Sequence, residues 1–158
     1  MNYHIDLQHA CHNPIPVSDE LLIKWAQFAL VDHKEFAELT LRLVDEEEMI
    51  HLNHAYRQQN KVTNVLAFPS TLPEGIELDF PLLGDVIICP SVLQKESDEL
   101  GKPLQAHWAH IVIHGVLHLL GYDHIKESDA EIMQALEIKL LANLGFANPY
   151  QIEGDNIE

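Results

Sequence analysis

Eleven histidines stand in this chain of 158 residues. His107, His110, His114, His118 and His124 crowd into one segment. Histidine is the commonest side-chain metal ligand and also serves as a general acid or base, so position has to decide its role. At about 100° per residue, His107, His110, His114 and His118 fall within roughly 80° of one helix face. His114 and His118 are four residues apart, a spacing that lets both rings reach one ion. Leu, Ile, Val and Trp occur nearly all round the same helix. Such a helix is buried on most sides, and its histidines need partners. Gly121 suits a left-handed stop, after which the chain turns back and brings His124 towards the same ion. Three protein ligands with one open position are the pattern of a catalytic zinc site. The expectation is therefore one Zn²⁺ held by His114, His118 and His124, with Ni²⁺ or another divalent ion able to occupy three imidazoles in vitro. His107 and His110 read as hydrogen-bonded neighbours rather than ligands.

The spacing H-x-x-x-H-x-x-G-x-x-H is similar to the metal frame of the metzincin proteases. In those enzymes the residue after the first histidine is a Glu that serves as general base. Here that residue is Gly115. The frame fits metal-assisted hydrolysis, since a metal lowers the pKa of bound water unaided, but it lacks the peptidase base.

These residues need a scaffold, and the sequence predicts a mixed one. Strands are expected over 3–8, 39–44, 64–68 and 82–89, the third ended by Pro69. A helix capped by Ser18 is expected to about His33. A capping-box-like pair, Asp45 with Glu48, opens a helix to about Tyr56, and Ser128 with Glu131 opens the last one, to Leu144. Pro90 starts a helix to about Leu100. The histidine helix runs from Leu104 to Leu120. Residues 70–81 read as an irregular excursion and 151–158 as a disordered tail. The expected class is α+β, a single domain over 1–158 with a small mixed sheet, helices, and a metzincin-like metal-binding helix and turn.

Composition narrows the partners. Apolar residues make up 47 % and charged residues 22 % of the chain, which suits a globular protein. The formal net charge is -16, with 9 Lys and Arg against 25 Asp and Glu. That balance argues against a plain basic nucleic-acid clamp and against anionic membrane surfaces. Cys11 and Cys89 give no disulfide framework and no CxxC motif, and read as reduced thiols. The start has no signal-peptide pattern and no run of about 18 apolar residues occurs, so a cytoplasmic protein is expected.

The block from His114 to His124, HGVLHLLGYDH, resembles the signature of the YbeY family of bacterial metal-dependent endoribonucleases. Leu52-Asn53-His54-Ala55-Tyr56-Arg57, Thr63-Asn64-Val65-Leu66-Ala67-Phe68-Pro69 and Leu83-Gly84-Asp85-Val86 resemble three further blocks of that family. The resemblance implies a zinc-dependent, single-strand-specific endoribonuclease. It implies work on the 3′ end of 16S ribosomal RNA and in late ribosome quality control. It also implies contact with the small subunit and a ribosome-associated protein partner. His114, His118 and His124 match the family's ligands, and Arg57 matches its functionally important arginine. Many members have Asp where this chain has Asn64 and Ser where it has Ala67.

On that reading Arg57 is the catalytic candidate, its planar fork suiting phosphate oxygens. Lys61 and Lys102 are candidate RNA-backbone contacts. Asp85 is a candidate to orient a ligand histidine, or else to serve the turn after Gly84. Tyr122 and Asp123 are expected to shape the metal loop; Tyr56 could stack on a base, but packing in the core is the expectation. The rival readings are a metallopeptidase or other metal-dependent hydrolase, and a non-catalytic ribosome-assembly factor.

Overall fold

The computed structural model describes residues 2–59, 62–70, 82–123 and 125–150. The element order is β1 (Asn2–Ala10), α1 (Asp19–Leu30), β2 (Phe36–Val44), α2 (Glu46–Arg57), β3 (Val65–Pro69), β4 (Leu82–Ile88), α3 (Pro90–Leu100), α4 (Leu104–Leu119) and α5 (Glu127–Asn143). The strands form one sheet in the order β1-β2-β4-β3. β1, β2 and β4 run parallel, and β3 pairs antiparallel to β4 along the edge. The architecture is the α+β fold with a mixed sheet that the sequence predicts.

The alternation of β2 explains how the sheet is covered. Ala37, Leu39, Leu41 and Leu43 point to one face and are fully buried. They join Leu22, Trp25 and Leu30 of α1, Val86 and Ile88 of β4, Trp108, Ile113 and Leu117 of α4, and Met133 and Leu141 of α5. Val44, Met49, Leu66, Ile87 and Cys89 form a smaller core on the other face, beneath α2. α4 is buried nearly all round, as its composition requires. Truncating a side chain such as Leu117 to Ala would cost about 2–5 kcal/mol.

α4 can lie so close to the sheet because of Gly115. A Cβ added there would stand 2.5 Å from Val86 Cγ1. The helix then ends in a Schellman motif. Gly121, with φ 106°, donates its N–H to His118 O at 3.0 Å, and Tyr122 donates to Leu117 O at 3.1 Å.

Several boundaries differ from expectation. α1 stops at Leu30, and His33 instead meets the Tyr122 hydroxyl at 2.8 Å. The Ser18 cap does form, its Oγ accepting from Leu21 N at 3.2 Å. The two capping boxes do not form. Asp45 turns to His12, accepting its backbone N–H at 3.0 Å and pairing with its ring, while Glu48 binds Arg42 at 2.7 and 3.1 Å. α5 starts one residue before Ser128, behind Lys126, with no side-chain cap. β3 does end at Pro69, its last residue, which lies opposite Gly84; an edge strand tolerates the missing N–H. Residues 71–81 and the 151–158 tail lie outside the described residues.

Candidate metal centre

His114 and His118 project from one face of α4 with ring centroids 4.7 Å apart and planes at 81°. Both line a cleft of about 750 Å³ that lies between the C-terminal half of α4 and the edge strand β3. Thr63, Asn64, Val65 and Ala67 line one wall. Gly121, Tyr122 and Asp123, in the turn after α4, line another. Asp123 Oδ1 accepts Ile125 N–H at 3.2 Å and so braces that turn.

Arg57 reaches the same cleft from the end of α2. Its Nη2 donates to the Ala67 carbonyl at 3.0 Å, and its guanidinium lies 5.1 Å from the centre of the Phe68 ring. One hydrogen bond and one cation–π contact thus hold a phosphate-shaped fork at the edge of β3.

Behind His114 lies a carboxylate that the sequence reading missed. Glu137 of α5 is 1 % exposed at its side chain. Its Oε2 accepts from His110 Nε2 at 2.8 Å and from His114 Nδ1 at 2.9 Å. Its Oε1 accepts from the Tyr150 hydroxyl at 2.6 Å. Burial pushes the Glu137 carboxyl up, but the bonds from His110 and His114, attraction to His114 and the Tyr150 bond outweigh it and hold the group at about 2. Burial, reinforced by Glu137, pushes the Tyr150 phenol well above its ordinary value, so it stays a donor. One warning was present in the sequence. Glu137 sits on the stripe of Met133, Leu140 and Leu141, and a charge on an apolar stripe needs a buried partner.

This arrangement fits a metal. One ligand atom from each of His110, His114 and Glu137 lies within 4.8 Å of the others, a set able to hold a metal ion, and in this structure the two rings and the carboxylate are joined by hydrogen bonds instead. The hydrogen bonds also fix a tautomer. A carboxylate only accepts, so His114 Nδ1 carries the proton and the neutral ring keeps its lone pair on Nε2, the form a metal ion takes.

The structure thus brings His114, His118 and Arg57 to one cleft and places His110 beside His114, both rings donating to Glu137. His124 and Lys61 lie outside the described residues. Asp85 is exposed on β4 and shares the sheet face of Ile87, opposite to the Val86 face that meets α4. Alternation along β4 therefore turns it away from the histidines, and Glu137 is a carboxylate that does meet His114. Lys102 donates to Pro149 O at 2.9 Å. Tyr56 is 64 % exposed rather than in the core. His107, 6 % exposed, meets Glu96 Oε1 at 2.9 Å, and Glu96 in turn accepts from Asn64 Nδ2 at 3.1 Å. Cys89 is buried and Cys11 half-buried, both as free thiols. Among the described residues no helix is long and apolar enough to cross a membrane.

Comparison with known proteins is decisive about kinship. Residues 11–145 match the family model described as Endoribonuclease YbeY. The chain is 61 % identical to the endoribonuclease YbeY of Legionella pneumophila over 158 residues, covering the whole of both chains. It is 54 % identical to that of Pseudomonas fluorescens over 146 residues, covering 92 % of this chain and 95 % of the other. The solution structure of a Thermotoga maritima protein, 21 % identical, shares the fold with a TM-score of 0.56, over 92 % of this chain and 99 % of that one.

Proposed function

Because this chain belongs to the endoribonuclease YbeY family, whose members hydrolyse phosphodiester bonds, we propose that it cuts single-stranded ribosomal RNA at a zinc ion held by His114, His118 and His124. The observation that carries this reading is the single cleft lined by His114, His118 and Arg57. The proposed role is maturation of the 3′ end of 16S ribosomal RNA and late quality control of the small subunit, in the cytoplasm.

A bound zinc ion would polarise a phosphate oxygen and lower the pKa of water at its open position. The chain's own residues do the rest. Glu137 holds the His114 ring in one tautomer and one orientation. Arg57 presents two-pronged donors to the phosphate and stabilises its charge. Asn64 and Tyr122 shape the walls against which the strand lies. The attacking group, water or the RNA's own 2′-hydroxyl, meets no carboxylate at position 115.

The metallopeptidase reading is weakened by that same position. The Gly115 site has no room even for a Cβ against Val86, so α4 is not built to carry the peptidase Glu there. The net charge of -16 supports weak intrinsic RNA affinity, with a ribosome-associated protein supplying the targeting.

Elemental analysis combined with cleavage of a single-stranded 16S fragment tests the reading. Wild-type protein should carry one zinc per chain and cut the fragment. His118→Ala should lose both properties. Arg57→Ala should keep fold and zinc but lose cleavage. An Arg57→Ala protein that cuts normally, or peptide turnover abolished by His114→Ala, would overturn it.

A further inference from the structure

Tyr56 is the most exposed aromatic side chain among the described residues, at 64 %. It precedes Arg57 on the last turn of α2. Its ring leans on Phe68, with centroids 5.2 Å apart and planes at 58°. Phe68 is the same ring that lies against the Arg57 guanidinium. Tyr56, Phe68 and Arg57 are therefore one braced assembly at the edge of β3. Phe68 pairs with Asp85 on the sheet face turned from the histidines, so Tyr56, which leans on it, does not itself line the cleft. Arg57, which lines the cleft and lies over Phe68, links the two, and Tyr56 is largely exposed.

The charge of the cleft makes such a surface useful. Among its described lining residues Arg57 is the one cation, and Asp123 adds a negative charge. In a chain of net charge -16, a second phosphate gains little from the protein. Stacking on an aromatic ring does not depend on charge and accepts any base, because every base has a π-face. It also requires the base to be splayed from its neighbours, which single strands allow and duplexes resist.

We propose that Tyr56 is the stacking platform for an unpaired nucleobase next to the phosphate that Arg57 binds. This subsite rests on the endoribonuclease reading above and adds to it a source of affinity and of preference for single strands.

The test uses full-length zinc-loaded protein and a single-stranded RNA carrying an abasic nucleotide at each position in turn around the cut. Tyr56→Ala should raise KM about fivefold or more, the smaller end of what a lost base–aromatic stack produces, with kcat little changed. Tyr56→Phe should restore wild-type KM. One abasic position should weaken wild-type cleavage by a similar factor and leave Tyr56→Ala unaffected. Zinc content and the thermal midpoint should not move in either variant. The inference is overturned if wild type cuts the RNA while Tyr56→Ala has the same KM, or if every abasic penalty is equal in the two proteins. Wild-type protein that cuts no single-stranded RNA overturns the underlying reading instead, and this one with it.

Discussion

Glu137 accepts the Nδ1–H of His114 at 2.9 Å from inside the core, while the same oxygen takes His110 Nε2 at 2.8 Å. Two imidazoles are thus oriented by one oxygen, while the other oxygen of the same carboxylate takes the Tyr150 hydroxyl. Glu137→Gln removes the negative charge that attracts the rings and turns an amide N–H towards the Tyr150 hydroxyl. Its zinc affinity should fall by about 10- to 100-fold, measured by competition with a chelator. An unchanged dissociation constant in a folded variant would show that Glu137 does not orient the ligand.

Tyr150 supplies the third bond to this carboxylate, 2.6 Å long. Tyr150→Phe removes one hydroxyl and leaves both imidazole bonds. The cost should be about 0.5–1.5 kcal/mol in a urea melt, with a smaller change in zinc affinity than Glu137→Gln causes. A larger zinc defect for Tyr150→Phe would reverse the assigned order of importance.

Acid should loosen the same knot in a defined window. Glu137 has its carboxyl held at about 2, below its ordinary 4.5. A carboxylate depressed by folding contributes stability that is whole above 4.5 and is lost as pH falls towards 2. Unfolding of the metal-free protein between pH 5 and pH 2 should therefore be less steep in Glu137→Gln than in wild type. Parallel pH dependences would contradict this.

The Gly115–Val86 contact gives the next test. Gly115→Ala places a methyl group 2.5 Å from Val86 Cγ1, so α4 or β4 must shift. Overpacking of this kind costs about 1–3 kcal/mol. Helix propensity pulls the other way by about 1 kcal/mol, because Ala is the better helix former. A net loss of stability means that packing wins. A higher denaturation midpoint would mean that the helix accommodates the methyl group.

The sequence carried much of this site, but unevenly. His114 and His118 were legible because the 3.6-residue period converts a spacing of four into adjacency, whatever the surrounding fold. The strands were legible because alternation marks a sheet with two unlike faces, as in Leu39, Leu41 and Leu43. Glu137 was not, because its partners lie 23 and 27 residues away on another helix. Asp85 was ambiguous for the complementary reason. Its face of the sheet depends on the register of β4, which its neighbours Gly84 and Val86 do not reveal alone. The Asp45–Glu48 capping box failed because a local pattern lost to tertiary partners, His12 for Asp45 and Arg42 for Glu48. Gly115 was read as the absence of a base, and the fold supplies a reason for that absence.

His107 offers a test of the support under the cleft wall. Its Nε2 meets Glu96 at 2.9 Å, and Glu96 also accepts from Asn64 at 3.1 and 3.3 Å. Its Nδ1 is buried with no hydrogen-bond partner among the described residues. Burial pushes the His107 pKa below 6.5; the Glu96 bond and charge oppose this, while His110 and Lys102 add to it. A histidine depressed by folding resists protonation in the native state. Its contribution to stability is whole above pH 6.5 and is lost as pH falls through the lower native value. His107→Gln retains a donor for Glu96 and cannot titrate. The urea midpoint of wild type should therefore fall more between pH 7.5 and pH 5 than that of His107→Gln. Taking the difference between the two proteins removes the other histidines, which titrate in both. A difference that stays constant with pH would mean that His107 is as easily protonated in the fold as in the unfolded chain, and that Glu96 compensates its burial in full.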